Sequence, residues 1–405
     1  MTPNILTDLI ARQASERGSK TAYSHLTAEG WADVSWNDFS SEVEAAACAL
    51  DILGIAPQGL FSIFSANCPE ILIADFAAYA NRAIPVSIYA TSSRDQVEYI
   101  VNDSKSTVIF AGNQKQFDMA CAARENCPTL EMVIAIDPSI AIDPDNTSAM
   151  RFADFIDLGR KASDECRRRV AERRSQASPD DIATIIYTSG TTGEPKGAVL
   201  THSCFTAAME IHRERLTTLS EADTSICFLP LSHIFEKAWT YFCLYMGIKV
   251  AVNPDPHRIQ QSLREVRPTC MCSVPRFWEK AYTAIQDKIA EMRGLKRRMA
   301  LLALRIGRRR NLEYARLGKK APAWLETLYR FFDKRVFAPM RRAMGVENGN
   351  LFPTAGAPLS ASIVEFFHSC GINIVIGYGL SETTATVTCY PMKDYEIGSV
   401  GTTMP

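Results

Sequence analysis

Ile182-Ala183-Thr184-Ile185-Ile186 runs directly into Tyr187-Thr188-Ser189-Gly190-Thr191-Thr192-Gly193-Glu194-Pro195-Lys196-Gly197, joining a β-branched apolar stretch to a loop of hydroxyl, glycine and lysine residues. The apolar stretch has the length and composition of a buried strand. Glycines at 190, 193 and 197 would let the backbone take strained turns and bring its N–H groups close to an anion, and four hydroxyl side chains add donors. Lys196 contributes a mobile positive charge. Such a cluster suits the β- and γ-phosphates of a nucleotide and the charge that grows on a departing pyrophosphate. The spacing is not that of the P-loop G-x-x-x-x-G-K-[ST], because Pro195 precedes the lysine and Gly197 follows it. Gly- and Thr-rich stretches are mostly plain loops, but eleven specified positions directly after a strand set this one apart.

Outward from that loop, further β-branched apolar runs recur between helical stretches. They are Phe61–Phe64, Ile84–Ile88, Thr107–Ala111, Met132–Ile136, Ser225–Leu229, Lys249–Val252 and Ile372–Ile376. The alternation implies an α/β fold of mostly parallel sheets covered by helices. The stretch from about Pro138 to Asp181 interrupts it with Asp, Pro and Ser turns and an Arg-rich run, which suggests a subdomain over 1–178 and a second over 179–380. At 405 residues and 47% apolar content the chain has material for two or three packed units. A net charge of −1 gives no reason to expect a nucleic-acid partner. The twelve cysteines lack the paired spacing of a zinc site, and reduced, buried thiols of a cytoplasmic protein are the expectation. The N-terminus carries early charges without an apolar run, so neither a signal peptide nor an anchor is expected.

A second glycine-rich element, Gly377-Tyr378-Gly379-Leu380-Ser381-Glu382-Thr383-Thr384, follows the Ile372–Ile376 run. Its glycines would present an aromatic face, and a carboxylate beside hydroxyls can meet a divalent cation. With Thr354-Ala355-Gly356-Ala357-Pro358-Leu359 and Phe228-Leu229-Pro230-Leu231-Ser232-His233-Ile234-Phe235-Glu236, these stretches resemble the adenylate-forming family of acyl-CoA synthetases, luciferases and peptide-synthetase adenylation domains. The form is closest to the long-chain fatty acid:CoA ligases. Asn67-Cys68-Pro69-Glu70, Ala83-Ile84-Pro85-Val86 and Ser273-Val274-Pro275-Arg276-Phe277-Trp278-Glu279-Lys280 extend the likeness over nearly the whole chain.

The resemblance implies two packed α/β subdomains in αβαβα layers, with the start of a small β-barrel over 381–405. It implies ATP and Mg²⁺ as cofactors, CoA as co-substrate and a fatty acid as substrate. Thr188, Ser189, Gly190, Thr191, Thr192, Gly193 and Lys196 would hold the phosphates, while Gly356, Ala357, Pro358, Tyr378 and Gly379 would hold the adenosine. Thr188 and Glu382 would hold Mg²⁺, and Lys196, Thr188, Glu382 and Thr383 would be catalytic, with Thr383 on the α-phosphate and acyl carbonyl. His233, Trp239 and Gly377 fall on the acyl side. His233 is read as positioning the carboxylate, and Trp239 either lines an acyl channel or packs as core. Family members continue beyond the last residues of this chain with a ribose-binding Asp, a hinge and a C-terminal domain carrying a catalytic Lys. A chain ending at Pro405 is therefore expected to be the N-terminal part of a longer protein.

Three alternatives stay open: a fatty acyl-AMP ligase, an amino-acid-activating domain, and a non-catalytic lipid- or nucleotide-binding module. An amino-acid activator would need a buried acid to meet the substrate ammonium. The segment Met292–Lys320 holds eleven basic residues and one acid, within a helical insert over 285–345. Met292, Leu295, Met299, Leu302 and Ile306 form one helical stripe, and Leu328, Phe332, Val336 and Met340 a second. Such helices can lie on an anionic membrane surface over 292–342, here the inner membrane face. The commoner arrangement is a packed helix pair whose apolar stripe faces the core. A homodimer is left open.

Overall fold

The computed structural model describes residues 6–189 and 194–405. The loop residues Gly190, Thr191, Thr192 and Gly193 lie outside the described residues. The chain divides into two compact units, Met1–Met209 with Pro230–Asp255, and Glu210–Leu229 with Pro256–Pro405. The change of subdomain expected after residue 178 falls inside the first of these. The reason is the sheet: strand Ile182–Ser189 pairs in parallel with Ile84–Ile88, so it belongs to the unit that precedes it.

The first unit is built on a seven-stranded sheet in the order Ala149–Arg151, Met132–Ala135, Val108–Ala111, Leu60–Phe64, Ile84–Ile88, Ile182–Ser189, Pro195–Thr201. All neighbours are parallel except the last pair, which is an antiparallel hairpin. The central strands Ile84–Ile88 and Val108–Ala111 are buried throughout, as parallel strands covered on both faces must be, which explains why apolar residues fill both of their faces. Phe64, Val86, Ile109 and Val133 from four adjacent strands meet Val101, Phe117 and Tyr187 in one apolar core. Helix starts are fixed locally: Ser93 with Gln96, and Asn113 with Gln116, form reciprocal capping boxes. A smaller sheet pairs Thr21–Thr27 with Lys249–Val252 in parallel and with Gly30–Ser35 in antiparallel fashion.

In the second unit Phe352–Thr354 and Ile374–Tyr378 run parallel, and single bridges add Ser225, Cys270 and Ser273 to the same parallel set. Thr388–Cys389 and Thr402–Thr403 continue from Tyr378 as short antiparallel strands. No closed barrel forms among the described residues. No disulfide forms among the described residues, and nine of the twelve cysteines are buried. No helix among the described residues is long and apolar enough to cross a membrane.

Candidate functional site

In the first unit the strands Ile182–Ser189 and Pro195–Thr201, on either side of Gly190–Gly193, pair in antiparallel fashion. Thr188 stands opposite Lys196, Ser189 opposite Pro195 and Tyr187 opposite Gly197. Directly opposed residues share a face of the sheet with Cβ atoms roughly 5 Å apart, so the Thr188 hydroxyl and the Lys196 stem rise together at the mouth of the loop. Lys196 is exposed and Thr188 half-buried, which leaves the ammonium free to reach an anion. Gly197 is a strand residue and needs no unusual φ, contrary to the turn role expected for it. A Cβ there would come within 2.7 Å of Ile185 Cγ2, so the glycine is required by cross-strand packing. Tyr187 anchors the strand below, donating its hydroxyl to Asp103 Oδ2 at 2.6 Å.

His233 caps the helix Ile234–Met246, its Nδ1 accepting from the Phe235 backbone N–H at 3.2 Å. The protein around it disfavours the imidazolium and holds its pKa below the usual histidine range, although the ring still reaches solvent. A neutral ring whose Nδ1 accepts carries its proton on Nε2. That N–H is a donor suited to orienting a carboxylate.

Two contacts fix where His233 stands. Asn67 Oδ1 accepts from the Leu231 backbone N–H at 2.9 Å, tying the preceding turn to the loop after strand Leu60–Phe64. Within the helix, Lys237 Nζ meets Asp75 Oδ2 at 2.5 Å with both side chains wholly buried. Tyr241 donates to the same oxygen at 2.7 Å and stands 2.9 Å from the Tyr79 hydroxyl. Lys237 and Asp75 were not among the expected site residues. The available signal was a pair of adjacent charges, Glu236-Lys237, inside an otherwise apolar and aromatic helix. Trp239 is buried on this helix with its ring against Phe242.

The second unit carries the other expected residues at the ends of its parallel strands. After Phe352–Thr354 the chain turns at Gly356 with φ +90°, and Gly356, Ala357 and Pro358 are all exposed. The turn rests on a buried polar knot in which Trp278 Nε1 donates to Ser273 Oγ at 2.8 Å and Thr354 Oγ1 at 2.9 Å. Trp278 is thus the reason the Ser273–Lys280 stretch reads as it does.

After Ile374–Tyr378 the exposed Tyr378 ring leads into a 3₁₀ turn, Ser381–Thr383. Gly377 pairs with Cys389 and Tyr378 with Thr388 in antiparallel register, and Gly379 is obligatory because a Cβ would lie 1.4 Å from Ala385 O. Thr383 Oγ1 accepts from Leu380 N at 2.9 Å, closing its own turn. Thr384 and Ala385 follow at φ +51° and +80°, backbone conformations that cost non-glycine residues energy and concentrate at functional turns. His212 supports the strained segment through Thr386 Oγ1 at 3.0 Å.

Thr188, Lys196, His233 and Trp239 therefore belong to the first unit. Gly356 to Pro358, Gly377 to Gly379, Glu382 and Thr383 belong to the second. Glu382 is exposed on its turn. The exposed Glu382 carboxylate and the half-buried Thr188 hydroxyl are each a hard oxygen donor of the kind Mg²⁺ takes.

Similarity to known proteins agrees with this arrangement. The model of the AMP-binding enzyme family matches residues 10–405. The long-chain-fatty-acid–CoA ligase FadD15 of Mycobacterium bovis is 33% identical over 95% of this chain and 61% of its own length. The long-chain-fatty-acid–CoA ligase ACSBG2 of Xenopus laevis is 28% identical over 99% of this chain and 54% of its own. The chain thus spans little more than half the length of these relatives. Among solved structures, an anthranilate CoA ligase, AuaEII, in complex with anthranoyl-AMP superposes with a TM-score of 0.73 at 18% identity, covering 100% of this chain and 65% of that one. The N-terminal domain of FACL13 from Mycobacterium tuberculosis gives 0.68 at 19% identity, over 96% and 79%. At those identities the structural likeness speaks for the fold alone. With its family model matched from residue 10 to residue 405 and a relative 33% identical across 95% of its length, this chain belongs to the AMP-binding enzyme family.

Proposed function

We propose that the chain is the N-terminal adenylation domain of an AMP-forming long-chain fatty acid:CoA ligase. The observation that carries this reading is the pairing of Thr188 with Lys196 at the mouth of the Tyr187–Gly197 loop. The names of the relatives at 33% and 28% identity support the fatty-acyl substrate.

In the proposed reaction a fatty-acid carboxylate oxygen attacks the α-phosphorus of ATP. The bond to the β-phosphate oxygen breaks, and acyl-AMP and pyrophosphate result. No protein nucleophile is needed, so the work falls to alignment and charge stabilisation. Lys196 and the loop N–H groups take the β- and γ-phosphates. Tyr378 stacks on adenine beside Gly356, Ala357, Pro358 and Gly379. His233 donates from Nε2 to the fatty-acid carboxylate, with Trp239 and Gly377 on the acyl side. Thr383 exchanges its bond to Leu380 for one to the α-phosphate. Thr188 and Glu382 would hold Mg²⁺, which would supply positive charge against that developing on the pyrophosphate. The CoA thiolate then displaces AMP to give the thioester. The reaction is assigned to the cytoplasm, with 292–342 as a peripheral contact to the inner membrane surface.

Calorimetric titration with ATP·Mg²⁺ and with a non-hydrolysable palmitoyl-AMP analogue tests the reading. Lys196→Ala should weaken ATP binding about ten- to a hundredfold, the worth of a charge-assisted hydrogen bond to phosphate. Glu382→Ala should remove the Mg²⁺ dependence of that binding. Analogue and ATP affinities unmoved by either substitution would refute the site. Tight binding of an aminoacyl-AMP analogue in place of the palmitoyl one would move the substrate class to amino acids.

A further inference from the structure

The turn that carries Glu382 and Thr383 is weakly held from within. Thr383 N donates to Leu380 O, Thr384 N to Ser381 O and Ala385 N to Leu380 O, each at 3.2 Å, the long end of the hydrogen-bond range. Against these bonds stand Thr384 and Ala385 at φ +51° and +80°. Left-handed backbone is costly for L residues, rare for a β-branched threonine, and persists only where the surrounding structure over-determines it. Both residues are buried. What over-determines them is the last turn of the helix His202–Arg215, which from Glu210 onward belongs to the same unit as the turn.

His212 and Arg215, three positions apart, share one face of that helix. His212 Nε2 stands 3.0 Å from Thr386 Oγ1, on the residue directly after Ala385. Arg215 Nη1 donates to Cys389 O at 3.1 Å and to Thr402 Oγ1 at 2.8 Å, and its Nη2 donates to Thr403 O at 2.5 Å. Cys389 and Thr402 are partners across the short antiparallel ladder, and Cys389 pairs on its other side with Gly377. The fixed fork of one guanidinium therefore spans both short strands. Val387 N returns to Tyr378 O at 2.8 Å, so Gly379–Thr386 is a loop closed at its base, and His212 and Arg215 secure the limb that follows the strained pair.

We propose that His212 and Arg215 are positioning residues for the nucleotide, keeping the Gly379–Thr386 loop in the one conformation that presents Glu382 and Thr383 to it. The proposal rests on the adenylation reading of this loop and adds two residues that act through the loop rather than on the ligand. When Thr383 gives up its bond to Leu380 for the α-phosphate, the turn loses an internal restraint while Thr384 and Ala385 remain strained. His212 bonds Thr386, and Arg215 bonds residues 389, 402 and 403, none of which takes part in that exchange. Their hold is the same before and after it. A loop ordered in advance also loses less conformational freedom when the ligand arrives.

Two readouts are combined: calorimetric titration with ATP·Mg²⁺, and amide hydrogen exchange over residues 379–387. His212→Ala should weaken ATP binding about threefold to tenfold, the worth of one hydrogen bond, and speed exchange at the Thr383, Ala385 and Val387 amides. His212→Gln, whose amide can again meet the Thr386 hydroxyl, should restore both. Thr386→Val should match His212→Ala, and the two together should do no more than either alone. Adding Ala385→Gly to His212→Ala should also recover binding, because glycine takes φ +80° without strain; a histidine needed only for the overall fold would gain nothing there. Arg215→Met, which removes all of the bonds to 389, 402 and 403, should exceed His212→Ala in both readouts. If Glu382→Ala weakens ATP binding while His212→Ala and Arg215→Met do not, the inference falls and the adenylation reading stands. Faster exchange without loss of affinity overturns it as well. If Glu382→Ala itself leaves ATP binding unmoved, the adenylation reading of the loop fails and takes the inference with it.

Discussion

The helix Ile234–Met246 and the helix Gly294–Arg310 break the ordinary amphipathic pattern in opposite directions. The first carries Glu236 and Lys237 into a wholly buried setting, and the second holds Leu295 and Leu302 out in solvent. In the first case the departure is internally answered. Lys237 finds Asp75, Tyr241 finds the same carboxylate, and Thr240 bonds Glu236, so the charges fix the helix in one register against Pro69–Ala80. In the second case nothing inside the unit answers it. A buried charge with its partner is a positioning device, and an exposed apolar stripe without one is a surface.

The sharpest way to break the comparison is to remove one half of the buried pair. Lys237→Ala leaves Asp75 uncompensated in the interior and should destabilise the protein by about 3–5 kcal/mol, read from urea unfolding. Lys237→Met combined with Asp75→Leu should cost far less, because a well-packed apolar pair replaces both charges. If the single and double variants are equally unstable, the pair contributes packing alone and does not set the register of His233.

The same network has a pH signature. His202 is buried, its ring edge-on to Tyr79 at 5.3 Å, and burial pushes its pKa down to about 4 despite the nearby Asp181. A histidine depressed on folding leaves the unfolded state binding more protons between pH 4 and 6.5, so stability is complete above about pH 6.5 and falls with pH towards 4. Between pH 7 and pH 5 this group should withdraw about 2 kcal/mol. His202→Phe should flatten that slope in chemical unfolding at the two pH values. His368, buried and likewise held at about 4, supplies the slope that remains. An unchanged slope in the variant would mean that the His202 ring titrates at its ordinary value.

Much of the fold was legible because parallel strands buried on both faces announce themselves as apolar runs. Ile84–Ile88 and Lys249–Val252 appear in the structure with the bounds read from sequence. Pro195–Thr201 was not legible, since Pro, Lys and Gly at its start read as loop and its partner strand supplies the order. Phe352–Thr354 escaped for a similar reason, with Pro353 at its centre. Of the candidate site, the glycine-rich stretches stood out by local chemistry alone, and the strands that lead into them, Ile182–Ser189 and Ile374–Tyr378, are present in the structure. Asp75 and Lys237 were not, because they are 162 positions apart and no periodicity links them. The insert misled in a specific way. A leucine stripe reads as a core face, yet the buried residues of helix Gly294–Arg310 are Ala300, Ala303 and Gly307, the last so close to the Ser369 carbonyl that even a Cβ is excluded, and such small residues leave no mark in a hydrophobic pattern.

That inversion can be tested on two adjacent residues, where the expected effects are smallest and the contrast cleanest. Leu302 faces solvent and Ala303 is wholly buried. Leu302→Ser removes a side chain about half of which is open to solvent and should alter stability by no more than about 1 kcal/mol. Ala303→Leu inserts three heavy atoms where the helix meets its neighbours and should cost about 1–3 kcal/mol. A reading of the helix from its hydrophobic stripe requires the reverse order: a large loss at 302 and tolerance at 303. Chemical unfolding of the two variants decides between them. Should 302 prove the costly position, the stripe is a core face after all, and the basic residues of Met292–Lys320 are an ordinary solvated helix surface.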